Sequence, residues 1–481
     1  MRILGVNDSS HDAAVSVVDD GKIVFASHGE RYNKNKNSFS NPDEIFEEAL
    51  SFGKPDVIAY FETRSKKRFR KTLWGGVNGE YKNLYKKTTS LLDGVPEVQL
   101  SHHFSHACAG YFTSTFDEAT IVVIDAIGEM ETATVWHAQG GKIAKKYSLK
   151  YPVSFGLFYS AFTDLLGLRA GTEEYIMMGM AAYGDPSRYY KDVSSYFPTA
   201  ETQKYNLHQG IRDWKHPIET DQDKFDIAAA AQKVYEERLR EFMYRVRKTA
   251  KSMNLVFMGG CALNCSANTM LLGIWEEVWI MPNPGDAGSS LGAALAVHGE
   301  HVRWRGPYLG RDIAGEYPIE PILHELKTKG IVGVAVGRAE FGPRAFGNRS
   351  ILADPRKPEF KDLVNTVKRR EPFRPFAPVV MEDYASDWFD IDRPVPYMQF
   401  AVRCKQHHLV PAVVHGDGTS RVQTVNPYQH FGLYEVLSRW NESTGVPVLL
   451  NTSLNIKNQP LLNDEFDKEV WRKMNPSVVL L

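Results

Sequence analysis

A strand, an acidic turn and a hairpin occur twice in this chain, and no other feature narrows its possible folds as much. Residues 3–6 are an apolar run. The polar turn Asn7, Asp8, Ser9, Ser10, His11 and Asp12 follows, and a second apolar run starts at Ala13. Asp19-Asp20-Gly21 then turns the chain back into Lys22-Ile23-Val24-Phe25, which is a hairpin signal. The same order returns with an apolar run over 121–124, an acidic Gly-containing turn over 125–129, a strand over 132–136 and a return at Gly140-Gly141-Lys142-Ile143.

Such a duplication is the plan of the sugar-kinase, actin and Hsp70 superfamily, in which two such turns face each other across a nucleotide cleft. The pattern continues with a long amphipathic helix predicted over 225–251, a buried strand over 255–258 and a strand over 278–281. The first of these strands runs into Gly259-Gly260 and a helix carrying Asn264 and Asn268. The second runs into Pro282-Asn283-Pro284-Gly285-Asp286-Ala287-Gly288, ahead of a helix predicted over 291–297. Glycines between a strand end and a helix start let backbone approach a phosphate or an adenosine, and they also serve plain tight turns.

At 481 residues the chain exceeds one ordinary core, and its periodicity breaks into Gly, Pro and charge over 301–316. The expected organisation is a duplicated α/β domain over 1–310 and a second α/β or α+β domain over 317–481. A strand over 331–336 opens the second domain. Its segment 338–374 holds ten Lys or Arg against five acids, a density suited to a polyphosphate pocket, although a solvated basic face is the commoner cause of a charge run.

Hydrophobic residues at 43% and charged residues at 24% describe a folded globular chain. No apolar run reaches the length of about 18 that a membrane span needs, and the N-terminus has no signal-peptide pattern, so a cytoplasmic protein is expected. Cys108, Cys261, Cys265 and Cys404 are too few for a disulfide scaffold and lack the paired spacing of a zinc site, so they are expected to be reduced, packed thiols. The formal net charge of −1 excludes polyanion binding by bulk electrostatics. One local patch stands out over 60–90, where Arg64, Lys66, Lys67, Arg68, Arg70, Lys71, Lys82, Lys86 and Lys87 face Glu62 and Glu80. Phe61, Phe69, Trp74, Tyr81 and Tyr85 are interleaved with them, a composition that suits phosphate contact and base stacking as well as a solvated basic face.

Chemistry-bearing residues gather in three places. His102 and His106 in Ser101-His102-His103-Phe104-Ser105-His106 lie at i and i+4, on one face of a helix, where two imidazoles can share a metal. Asp125 and Asp286 each follow a predicted strand of the same domain, where open α/β sheets place ligands. Two imidazoles and two carboxylates suit Fe(II), Mn(II) or Zn(II), and the residues do not choose among them. His11 and Asp12 lie in the first of the two turns, and a neutral imidazole there is able to take a proton from an attacking hydroxyl or simply to cap the turn.

Several motifs in order along the chain resemble the NodU/CmcH carbamoyltransferases. They are Gly5-Val6-Asn7-Asp8-Ser9-Ser10-His11-Asp12-Ala13-Ala14, the His102-His103-x-x-His106 segment, Asp125-x-x-Gly128-Glu129, Met178-Gly179-Met180-Ala181-Ala182-Tyr183-Gly184 and Gly259-Gly260-x-x-x-Asn264. The second domain adds Gly342-Pro343-Arg344-Ala345-Phe346-Gly347-Asn348-Arg349-Ser350, Lys368 to Pro378, Asp417 to Gln423, and Asn451-Thr452-Ser453-Leu454-Asn455. The resemblance implies a first domain related to threonylcarbamoyl-adenosine synthases and a YrdC-like second domain. It implies an ATP-dependent O-carbamoyltransferase that converts carbamoyl phosphate to carbamoyl-adenylate and passes the carbamoyl group to an acceptor hydroxyl.

The same resemblance makes His102, His106, Asp125 and Asp286 the ligands of a divalent metal, Fe2+ ahead of Mn2+ or Zn2+, and puts His11 beside the acceptor. Lys368, Arg374, Arg421 and Ser453 match the pocket for carbamoyl phosphate and for ATP with Mg2+. Gly259, Gly260, Asn264, Arg344, Asn348, Arg349 and Asn451 complete the expected nucleotide-contact set. Where many relatives have a lysine before the Met-Gly motif, this chain has Ile176 and Met177, and the chain reads as a short member lacking peripheral elaboration around the acceptor. The basic segment 60–90 favours a hydroxymethylated pyrimidine of DNA or a nucleotide as acceptor, against a sugar, aminoglycoside or other small natural product. Three rivals stand beside this reading. A hydrogenase-maturation carbamoyltransferase needs an acylphosphatase unit and paired Cys-x-x-Cys fingers that are missing here. A tRNA-modifying threonylcarbamoyl enzyme fits the segment 342–350 less well, and a non-catalytic nucleotide-binding regulator leaves the second basic pocket without a purpose.

Overall fold

The computed structural model describes residues 1–66 and 92–481. They divide into two compact units, one of Met1–Asn33 with Asn37–Trp304 and one of Lys34–Lys36 with Arg305–Leu481. The strand Tyr308–Ile313 pairs antiparallel with Gly337–Glu340, which draws 305–310 into the second unit and moves the boundary from 310 to 304.

The first unit contains the same five-stranded sheet twice. In one, the strands run in the order Lys22–His28, Ala14–Asp19, Arg2–Asn7, Val57–Tyr60, Glu97–Gln99. In the other the order is Lys142–Lys150, Glu131–Gln139, Glu118–Gly128, Asn254–Met258, Glu277–Trp279. Each begins as an antiparallel meander and continues through parallel strands, with Ile3 opposite Val57 in one and Thr120 opposite Leu255 in the other. Central strands covered on both faces need side chains that are apolar at every position, and Ile3, Leu4, Val6 and Ile121 through Ile124 are accordingly at most 1% exposed. The duplication read from the strand and hairpin pattern is thus the architecture of the unit. The predicted helix over 225–251 spans Asp221–Thr249, and it starts earlier because Thr220 and Asp223 form a reciprocal capping box.

One helix does most to bring distant segments together. Gly288–His298 is buried along Gly288 to Leu295, as a helix packed on several sides must be. A Cβ on Gly5 would lie 1.9 Å from the Ser290 carbonyl oxygen, and one on Gly292 would lie 1.8 Å from that of Ser105. The helix therefore sits backbone-close to the strand Arg2–Asn7 and to the helix His102–Thr113, and the turn ahead of it, with Asp286, is carried to the ends of both.

In the second unit, a five-stranded mixed sheet runs in the order Ile331–Ala335, Arg349–Ala353, Val448–Ser453, Ala377–Met381, Gln423–Val425. Its neighbours are antiparallel except the last pair. Helices Ile319–Thr328 and Phe431–Thr444 cover it, with Leu433, Leu437 and Trp440 in one core with Val332, Val334, Leu352 and Val379. All four cysteines are buried and unpaired. Among the described residues no helix is long and apolar enough to cross a membrane.

Candidate functional site

His102 and His106 project from the helix His102–Thr113 toward Asp125, on the strand Glu118–Gly128, and Asp286, in the turn before Gly288–His298. The two Nε2 atoms are 3.2 Å apart. Asp125 Oδ2 is 3.1 Å from His102 Nε2 and 3.4 Å from His106 Nε2, and Asp286 Oδ1 is 3.4 Å from each. One atom from each of the four lies within 4.8 Å of all the others. Ligand atoms about 2.0–2.2 Å from a shared ion stand about 2.8–3.6 Å apart, so these contacts fit four donors to one ion.

Two buried Nε2 atoms 3.2 Å apart share a proton between them, and the carboxylates beside both favour positive charge there. Burial opposes charge on His102, yet the charge of Asp286 and bonds to Asp125, Asp286 and Glu62 outweigh it and hold the ring well above its ordinary pKa. Burial likewise pushes Asp125 up, but His102 and His106 hold it well below the usual carboxylate range. A cation at the centre would take the place of the shared protons. Glu62, 4% exposed, stands 3.6 Å from His102 Nδ1 and was not singled out from the sequence, where it reads as one acid in a basic stretch. His103, the neighbouring histidine, turns away and places Nδ1 2.9 Å from Thr134 Oγ1.

The His11 turn is held in an unusual backbone shape. Ser9 and Asp12 have φ of 60° and 58°, a left-handed conformation that costs a non-glycine residue about 1–3 kcal/mol. His11 Nδ1 is 2.8 Å from Asp12 Oδ2, and Asn37 Nδ2 donates to the other Asp12 oxygen at 2.8 Å. Burial works against a charge on His11, but the bond to Asp12 and the charges of Asp12, Asp286 and Glu174 push it up to about 9. Phe39, 56% exposed, meets the His11 ring edge-on at 5.8 Å.

The glycine turn after Asn254–Met258 has a packing reason of its own. A Cβ on Gly259, whose φ is 93°, would lie 2.2 Å from the Ile124 carbonyl oxygen, and one on Gly260 would lie 3.0 Å from Asp125 Oδ1. Asn264 accepts from Ala267 N and exchanges two hydrogen bonds with Gln232. Ile176 and Met177 are 3% and 0% exposed, so both belong to the apolar core.

In the second unit, Lys368 is 3% exposed. Its Nζ donates to Asn455 Oδ1 at 2.7 Å, to Ser453 Oγ and the Asn455 carbonyl at 3.2 Å, and to the Ser453 carbonyl. Burial and the nearby cations Arg370, Arg374 and Lys36 hold the amine well below its ordinary pKa. Arg374 lies 3.6 Å from Glu371, and Arg421 Nε is buried with no hydrogen-bond partner among the described residues.

The other second-domain candidates are bonded to the protein itself. The loop 342–349 wraps the carboxylate of fully buried Glu340, whose Oε1 accepts from the backbone N–H of Phe346, Asn348 and Arg349 at 2.8, 3.0 and 3.3 Å. This is an anion nest filled by the chain's own carboxylate. Arg349 is fully buried and donates to the carbonyls of Val336, Asn348 and Arg311. Asn348 bonds the Arg338 carbonyl and His430, Asn451 bonds the Ala345 carbonyl and Gln423, and Arg344 bonds the carbonyls of Tyr397 and Met398.

Most of the basic segment read over 60–90 lies outside the described residues. The two cations that are described are both paired with acids: Arg64 is 3.4 Å from Glu97 and stacks over Tyr60, and Lys66 is 3.2 Å from Glu129.

Comparison with known proteins adds the following. Residues 60–295 match the family description "Carbamoyltransferase N-terminus", and residues 323–475 match "Carbamoyltransferase C-terminus". The chain is 32% identical to nodulation protein NolO of Bradyrhizobium diazoefficiens over 76% of this chain and 75% of that one. It is 30% identical to nodulation protein U of Rhizobium tropici over 99% and 94%. Among solved structures, HypF in its phosphate- and nucleotide-bound form is 14% identical, covers 62% of this chain and 46% of that one, and has a TM-score of 0.35, too slight a likeness to argue from.

Proposed function

The chain belongs to the carbamoyltransferase family, and from that premise we propose that it is an ATP-dependent O-carbamoyltransferase with its two half-reactions divided between the two units. In the second unit, read as YrdC-like, carbamoyl phosphate and water give carbamate and phosphate. The carbamate oxygen then attacks the α-phosphorus of Mg2+-bound ATP, releasing pyrophosphate and leaving carbamoyl-adenylate. Arg374 and Arg421 supply fixed positive charge to these anions, and Lys368, whose amine is held well below its ordinary pKa, gains its proton as they bind. In the first unit an acceptor hydroxyl attacks the carbamoyl carbon, the carbamate ester forms, and AMP leaves.

The observation that carries this reading is the convergence of His102, His106, Asp125 and Asp286 with the His11 turn at the strand ends of a duplicated α/β unit. Those four residues would hold a divalent ion, Fe2+ first and Mn2+ or Zn2+ as alternatives, and its chemistry there is Lewis-acid polarisation of the carbamoyl carbonyl. His11 takes the proton of the acceptor hydroxyl. The bonds that Arg344, Asn348, Arg349 and Asn451 make to backbone favour a supporting role for them over direct contact with nucleotide. The expected assay result is release of pyrophosphate from ATP only when carbamoyl phosphate is present, with AMP following when an acceptor hydroxyl is supplied. Release of ADP, or ATP binding without turnover as in a nucleotide-binding regulator, would overturn the reading.

His11 also sets a pH dependence. With its pKa at about 9, the ring is protonated at neutral pH and has no lone pair for a proton. Transfer is therefore expected to rise with pH toward 9. Asp12→Asn removes the bond and charge that raise the pKa, so the rising limb should move about two units to the acid side. An unmoved limb in pH–rate profiles of the two proteins would remove His11 from the proton transfer.

The acceptor carries a hydroxyl. A hydroxymethylated pyrimidine, in DNA or as a nucleotide, is the acceptor that the basic segment 60–90 favours. A carbamate mass increment on hydroxymethylcytosine DNA, and its loss at high salt, tests that choice against an aminoglycoside offered under the same conditions.

A further inference from the structure

Asn7 ends the strand Arg2–Asn7 and is fully buried. Its Nδ2 is 3.0 Å from the Asp286 carbonyl oxygen, 3.0 Å from that of Asp12 and 3.3 Å from that of His11. An amide nitrogen has two hydrogens, so three carbonyls share them, and each of the three belongs to a residue already placed at the site. Asp286 is 279 positions away along the chain. The Asn7 carbonyl in turn accepts from Asn41 Nδ2 at 2.8 Å, and Asn41 also holds Asp8 Oδ1 through its backbone N–H at 3.0 Å and its amide at 3.2 Å. The strained His11 turn is therefore built around one carboxamide.

We propose that Asn7 is the positioning residue that sets the metal-ligand turn at Asp286 against the proton-accepting turn at His11, so that one side chain fixes the spacing of the two reactive halves of the transfer site. Other contacts seat the nearby helix on the strand and bring the Asp286 turn to the strand's end without bonding that turn. Ser290 Oγ accepts from Ser16 Oγ at 3.0 Å, four residues past Asp286, and the backbone approach of Gly5 to Ser290 fixes the helix on the strand. The Asn7 amide alone among these bonds the Asp286 carbonyl. The inference rests on the metal reading of the four-residue cluster.

Asn7→Leu keeps the volume and removes the donors. Asn7→Asp keeps the shape and turns an acceptor toward three carbonyls, and it serves as a second variant if the first fails to fold. In the full chain, with thermal melting to show that the fold is retained, each is expected to weaken Fe2+, Mn2+ or Zn2+ binding by about 10–100-fold, the usual effect of losing an outer support of a ligand. Each is also expected to shift the His11 imidazole resonances in metal-free protein at fixed pH. Ser16→Ala should do neither. Metal affinity within about twofold of wild type together with unmoved His11 resonances would overturn the proposal. If wild-type protein binds no metal, the metal reading fails by itself, and the His11 resonances still decide whether Asn7 holds that turn.

Discussion

Replacing Lys368 with methionine is expected to lower carbamoyl phosphate-dependent pyrophosphate release by about 10²–10³-fold, the range for removing one donor aimed at a reacting anion. The same substitution should change how stability depends on pH. In the folded chain the Lys368 pKa lies well below 10.5 because of burial and the cations around it. Between that lowered value and 10.5 the unfolded chain binds the extra proton and the folded chain does not. Stability from this group therefore rises with pH across the window, by up to about 1.4 kcal/mol per pH unit. Below the lowered pKa both states are protonated and the penalty is complete. Melting temperatures of wild type and Lys368→Met, taken from pH 7 to 9.5, should diverge in favour of wild type as pH rises. Parallel curves would mean that Lys368 keeps its ordinary basicity, and unchanged turnover would remove it from the pocket.

That prediction depends on a feature invisible in the sequence. Lys368 stands among Lys, Arg and Glu residues that read as one basic run, yet Lys368 is buried and Arg349 is more so, while Glu340 in the same run is enclosed by backbone N–H groups. Charge density along a chain carries no information about which side of an element a charge faces. Local alternation carried more. The strand, turn and hairpin pattern at 3–25 and again at 121–143 is short-range, and the two sheets repeat one strand order because of it. The i, i+4 spacing of His102 and His106 is also local, and the helix sets both rings on one face. Asp125 and Asp286 were reachable through the rule that ligands gather at strand ends. Glu62 and Asn7 were not, since their partners lie 40 and 279 positions away and are chosen by packing. The charge on His11 was hidden for a different reason: it depends on the left-handed turn at Asp12, which brings a carboxylate to 2.8 Å of the ring.

The largest effect of a single substitution is expected at His106. Structural zinc sites with four ligands bind with about 10–16 kcal/mol, so one ligand accounts for about 2.5–4 kcal/mol and its loss for about 10²–10³ in affinity. His106→Ala also opens a cavity at a fully buried position and leaves His102 Nε2 facing Asp125 and Asp286 without its companion ring. The expected result is protein purified with little metal and no measurable carbamoyl transfer, while carbamoyl phosphate-dependent pyrophosphate release and carbamoyl-adenylate formation by the second unit continue. His103→Asn is the informative partner. It alters the adjacent histidine on the same helix, which turns to Thr134, and should leave metal content within about tenfold of wild type. Full transfer by metal-free His106→Ala would break the link between the cluster and the reaction. Equal metal loss in both variants would mean that the helix, and not the ligand set, had been damaged.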